Sequence, residues 1–141
     1  IEHVAEEVLC ECGNYGCAEA YLSGTNFTKY MRTVLDVEKL KGEELVRRAQ
    51  AGEEKICREF DKYGERLAVF LNNLSMLFAP QVIVLAGGFA EASDLFLPKT
   101  RKNLENRLRR HREGVDLLPQ IEVSEFASTA GLIGAVAALV R

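Results

Sequence analysis

Gln81-Val82-Ile83-Val84-Leu85-Ala86-Gly87-Gly88 is the stretch that decides the fold class. Ala79-Pro80 stands before it and ends any helix arriving there, because proline has no N–H to donate and its ring clashes with the preceding turn. The aliphatic, largely β-branched run from Gln81 to Ala86 predicts a short buried strand, ended by the glycine pair. Upstream, Ile56, Phe60, Tyr63, Leu67, Phe70, Leu71, Leu74 and Leu77 recur in steps of three and four, which predicts a long helix from Glu53 to Phe78. A short helix is expected from Lys41 to Ala49. Ala18 to Leu35 is also helical in pattern, with Ser23-Gly24-Thr25-Asn26 as a fresh N-cap or a kink. Downstream, Ala92 to Arg112 reads as a helix, with Pro98 near its first turns or at a break and Gly114 as its cap. Gln120 to Phe126 reads as a second strand. Thr129 to Val140 reads as a small-residue helix whose Gly131 and Gly134 allow close packing. Helices, strand, helix, strand, helix is a piece of an α/β architecture. Two strands alone leave open edges, so the sheet is expected to be completed by another segment or by residues absent from this sequence.

The chain has 141 residues, 48% hydrophobic and 28% charged, which suits one globular domain. That balance excludes a disordered tail and a disulfide-dense miniature. No stretch approaches the ~20 uninterrupted apolar residues of a membrane span. A net charge of -3 gives no general attraction to nucleic acid or anionic membrane. The opening Ile1-Glu2-His3 has no Met, basic stretch or apolar core, so no targeting segment is expected and the chain reads as processed, trimmed or partial. No internal repeat or low-complexity segment is present.

Cysteine placement is uneven. Cys10, Cys12 and Cys17 fall within eight positions, whereas Cys57 stands far downstream. A secreted framework spreads its cysteines to tie distant segments, so the cluster argues for a reduced, cytoplasmic setting and a local metal knuckle. Three thiolates and the His3 imidazole suit tetrahedral zinc, and Gly13 and Gly16 permit the sharp turns that such ligation needs. The alternative is three reduced or partly disulfide-linked cysteines beside an unrelated histidine. Cys57, on the apolar side of the long helix, reads as a small buried hydrophobe.

Cys10-Glu-Cys12-Gly13-Asn-Tyr-Gly16-Cys17-Ala-Glu19, preceded by His3 and followed by Ser23-Gly24, resembles the signature of the ROK family of sugar kinases and related repressors. Val82 to Gly88 is similar to that family's strand and double glycine near the nucleotide, and Ala130-Gly131-Leu132-Ile133-Gly134-Ala135 to its C-terminal helix. The resemblance covers nearly all of this chain, but only the C-terminal half of a full-length member. It implies the C-terminal lobe of an actin-like (ribonuclease H-like) ATPase domain with an incomplete sheet. Residues 1–19 are then a zinc-binding loop and residues 20–141 a helical and α/β lobe. It further implies that His3, Cys10, Cys12 and Cys17 bind structural zinc. His3 and Glu19 would contact the sugar, and Gly87 and Gly88 would lie against ATP, which acts with Mg2+. A homo-oligomer, a dimer, is the expected assembly.

The resemblance also has departures. Ile1 and Glu2 take the last two positions of the family's Gly-Glu-apolar-Gly run, so the family's further sugar-binding Glu falls before residue 1. The family's Asp-x-Gly-x-(Thr/Ser) phosphate loop and catalytic Asp are not recognisable here and are expected upstream. The chain alone is therefore expected to be inactive. The implied function is ATP-dependent phosphorylation of a hexose or N-acetylhexosamine at its 6-hydroxyl. Alternatives are the sugar-sensing domain of a related repressor and a zinc-stapled module without ligand. Lys99 to Arg112 carries many cations, readable as a nucleic-acid face; a solvated helix end favoured by the macrodipole is the preferred reading, with nucleic acid a partner only of a repressor.

Overall fold

A computed structural model describes residues 8–109, 116–126 and 129–139. After an irregular loop come α1 (Ala18–Leu22), α2 (Gly24–Leu35), α3 (Gly42–Gln50) and the 25-residue α4 (Glu54–Phe78). Strand β1 (Val82–Leu85) leads into a 3-10 segment (Gly88–Leu95) and α5 (Leu97–Arg109); β2 (Gln120–Val123) and α6 (Ala130–Leu139) follow. The strands pair in parallel, with Ile83 opposite Ile121 and Leu85 opposite Val123. A parallel pair needs a crossover, supplied here by the 3-10 segment and α5.

Ser23 both ends α1 and begins α2. Its extended backbone breaks the helix, and its hydroxyl accepts the Asn26 N–H at 3.1 Å, so the expected interruption is a true N-cap. The helix expected from Ala92 is divided instead. Residues 88–95 wind tightly as a 3-10 segment, Phe96 leaves helical geometry, and Pro98 sits in the first turn of α5 where its missing N–H costs nothing. Gly114 and residues 110–112, including His111, lie outside the described residues.

The core is built on α4. Met31, Leu45, Ile56, Phe60, Leu71 and Leu104 are fully buried, and Phe27, Tyr63 and Phe96 complete an aromatic centre between α2, α4 and the start of α5. Ile83, Leu85 and Ile121 turn toward this core. The β1 strand is not buried on both faces as its sequence suggests: Val82 is 44% and Val84 57% exposed. Only one face of this two-stranded sheet meets helices among the described residues. Helix α6 differs from expectation in the same way. Leu132 is 72% exposed, and a Cβ at Gly131 or Gly134 meets nothing within 4 Å, so the predicted close packing is not found. Cys57 is half-buried rather than buried; its thiol donates to the Ala49 carbonyl at 3.4 Å.

Three cations of α5 are engaged locally. Lys99 lies 3.2 Å from Glu65, Arg109 pairs with Glu105 at 2.6 Å, and Arg101 donates to the Ile121 carbonyl at 2.6 Å. No helix among the described residues is long and apolar enough to cross a membrane.

Helices α4 and α5 meet at Gly64. A Cβ there would lie 2.7 Å from the Phe96 carbonyl oxygen, 3.1 Å from Lys99 Cβ and 3.2 Å from Thr100 Oγ1. Gly64→Ala should therefore cost about 1–3 kcal/mol through overpacking. Gly131→Ala, in open helix, should be neutral or slightly stabilising. Thermal denaturation of the two variants checks this, and equal melting temperatures would contradict the packing described.

Candidate metal centre and ligand cleft

The described residues before α1, 8–17, fold on themselves. Leu9 and Tyr15 form an antiparallel bridge, Cys10 N–H donates to Asn14 O at 2.8 Å, and Gly16 N–H donates to Val8 O at 3.1 Å. Such a tight reversal needs left-handed backbone, and Gly13 (φ 88°) and Gly16 (φ 74°) supply it. The consequence is that Cys10, Cys12 and Cys17 converge, with all three sulfurs within 4.8 Å of one another and those of Cys12 and Cys17 at 3.6 Å. Tetrahedral zinc with Zn–S bonds of about 2.3 Å sets sulfurs roughly 3.8 Å apart, so the three thiols fit that group. His3, the expected fourth ligand, lies outside the described residues.

Charge in the cluster is uneven. The Asn14 backbone N–H, then the Cys10 and Cys17 thiols, hold the Cys12 thiol below its ordinary range, while donation to Cys12 and then Cys10 pushes Cys17 up to about 11. The thiolate is the metal-binding state, and these contacts favour it at Cys12 over Cys17. Cys10 is buried and Cys12 exposed, so the cluster opens to solvent on one side.

The loop is fastened to the helices at two points, and α1 to α2 at a third. The Tyr21 hydroxyl accepts the Val8 N–H at 3.0 Å, Lys29 pairs with Glu11 at 2.6 Å, and Asn26 Nδ2 donates to the Glu19 carbonyl at 3.1 Å. Arg66 of α4 lies over the Tyr21 ring at 5.8 Å. Glu19 itself stands exposed in the first turn of α1, two residues beyond Cys17. Nothing in its spacing alone marks it out, and nothing in the sequence marks Tyr21 as the loop's anchor.

A cleft of about 1330 Å3 opens between the α1–α2 joint, α3 and the segment after β1. Ser23, Gly24, Lys41, Arg47, Gly87 and Gly88 are among its walls; the cysteines and Glu19 are not. Gly87 adopts φ 98°, and a Cβ at either glycine meets nothing within 4 Å, so this wall is bare backbone facing open space. Lys41 and Arg47 come from the α3 region, 40 residues or more from the glycines in sequence. Only tertiary folding brings them to one cleft.

The profile of the ROK family matches residues 1–141. The chain belongs to the ROK family. Among curated relatives, the N-acetyl-D-glucosamine kinase of Pectobacterium atrosepticum is 33% identical over 128 residues, covering 91% of this chain and 40% of that protein. This ROK chain therefore spans about two-fifths of the length of the curated relatives it matches. A ROK family glucokinase from Streptomyces griseus, solved with glucose and AMPPNP, superposes with a TM-score of 0.82 at 24% identity, over 98% of this chain and 49% of its own. The ROK hexokinase of Thermus thermophilus gives a TM-score of 0.73 at 25% identity, over 99% of this chain and 48% of its own. The fold is accordingly one shared with solved ROK sugar kinases, an α/β arrangement with a small parallel sheet.

Metal analysis should return one zinc per chain. Cys12→Ala should abolish it, whereas Cys57→Ala, at a site apart from the cluster, should retain it. Full zinc content in Cys12→Ala would contradict a three-thiol centre.

Proposed function

We propose that this ROK chain is part of an ATP-dependent sugar kinase that phosphorylates a hexose or N-acetylhexosamine at its 6-hydroxyl. The observation that carries the reading is the cleft walled by the bare Gly87-Gly88 backbone immediately after β1, in a chain whose curated relatives are N-acetyl-D-glucosamine kinases. Without side chains, the two glycines allow a nucleotide to approach the main chain closely. Lys41 and Arg47 bring positive charge to the same cleft, complementary to phosphate.

On the sugar side, the Glu19 carboxylate accepts hydrogen bonds from two hydroxyls, and a polar clamp of this kind selects hydroxyl stereochemistry. Cys10, Cys12 and Cys17, with His3, would hold zinc as a closed structural centre. Bound there, zinc supplies a fixed tetrahedral staple that orients the loop leading into Glu19. Phosphoryl transfer depends on positioning and charge stabilisation, and it needs a phosphate loop and an Asp that takes the proton from the attacking hydroxyl. Those groups are expected outside these 141 residues, so the chain by itself should not turn over. Residues 1–19 act as the metal loop and residues 20–141 as the lobe that carries the cleft.

Full-length protein should release ADP from ATP only when glucose or N-acetylglucosamine is present, measured in a coupled assay. Glu19→Ala should raise the sugar KM about tenfold or more, the loss of hydrogen bonds to a charged group, with zinc content unchanged. An unaltered KM would refute the role given to Glu19. Sugar binding without ADP release would point instead to a sensor domain.

A further inference from the structure

Phe89 follows the two glycines directly and joins the cleft wall to the core. Its ring stacks on Phe60 (centroids 6.1 Å apart, planes at 11°) and on Phe96 (5.8 Å, 9°), and it meets Tyr63 edge-on at 5.1 Å. Phe27 of α2 lies at 5.6 Å with its plane tilted by 58°, and Phe89 also meets backbone of the same helix. A Cβ on Gly24 would lie 2.7 Å from Cβ, Cγ and Cδ2 of Phe89, closer than real side chains approach. The first residue of α2 is therefore seated directly on this ring. Tyr63, in contact with Phe89, donates its hydroxyl to the Leu22 carbonyl at 2.9 Å. Two touching aromatic rings thus hold the α1–α2 joint, Leu22 to Gly24.

That joint closes the helix that bears Glu19. Ser23 N–H donates to the Glu19 carbonyl at 3.0 Å, and Asn26 Nδ2 donates to the same oxygen at 3.1 Å. On the other side, Ala90 N–H donates to Gly87 O at 3.0 Å, closing the glycine turn around Phe89. Gly24 has no side chain to repack, and a close-packed interior passes on small displacements rather than absorbing them. A shift of the glycine turn must move the Glu19 helix joint, and the reverse holds equally.

We propose that Phe89 is a positioning residue whose contact with Gly24 couples the Gly87-Gly88 wall to the Glu19 helix, so that nucleotide and sugar tighten each other's binding. This rests on the reading of the cleft as the nucleotide site and of Glu19 as a sugar ligand. Coupling of this kind is reciprocal by linkage.

The test is calorimetry of glucose or N-acetylglucosamine binding to full-length protein, with and without AMPPNP and Mg2+. In the wild-type protein the nucleotide analogue should lower the sugar Kd about fivefold or more. In Phe89→Leu that ratio should collapse toward one. Gly24→Ala, which presses the same contact from the opposite side, should collapse it too, and it decides the matter should Phe89→Leu not fold. Phe60→Leu, a comparable loss from the same aromatic cluster but remote in sequence from the glycines, should keep the wild-type ratio. A wild-type ratio in Phe89→Leu, or an equal collapse in Phe60→Leu, overturns the proposal while leaving the kinase reading intact. Sugar binding with no AMPPNP binding to the wild-type protein overturns both.

Discussion

At Gly64 the backbone of α4 comes so near the start of α5 that the space for one methyl group is already taken by the Phe96 carbonyl. That oxygen also accepts the Thr100 N–H at 2.9 Å and the Thr100 hydroxyl at 3.0 Å, so the first turn of α5 is closed on the same atom that touches α4. The contact places Phe96, and with it the end of the 3-10 segment, against the middle of the longest helix. Phe89 then stacks on Phe96, Tyr63 reaches Leu22, and Phe27 packs on Phe60. Cleft wall and helix joint are thereby referred to one rigid element.

The forces that do this differ in kind. Aromatic pairs contribute about 0.5–1.5 kcal/mol each beyond their buried area, and here they form one connected set around α4. The attachments of the cysteine loop are lighter. Lys29–Glu11 is a solvent-exposed ion pair of the kind that contributes little, leaving the Val8–Tyr21 hydrogen bond to set its register. A loop so lightly tied depends on its own cross-links for rigidity, which is why convergence of the three sulfurs matters more than the surface contacts around it.

The exposed face of β1 follows from the same geometry. Val84 is apolar and uncovered because, among the described residues, the core lies on the side of Ile83 and Ile121; Leu132 on α6 is uncovered as well. The chain spans about two-fifths of the length of its curated relatives.

Much of this was legible in the residues. The 3.6-residue periodicity of α4, the stop at Ala79-Pro80, the β-branched run of β1 and the cysteine spacing with its glycines each reflect short-range physics: helix period, backbone sterics and donor chemistry. Ser23 was legible for the same reason, since an N-cap is satisfied within three residues. The split of the helix after Gly88 was not, because it answers to the packing of Phe96 on α4 rather than to local propensity. Nor were Gly64 against Phe96, Gly24 against Phe89, or Lys41 and Arg47 in one cleft with the glycines. Those meetings join residues far apart in the chain, and a glycine's missing side chain acquires meaning only when another part of the structure occupies its place.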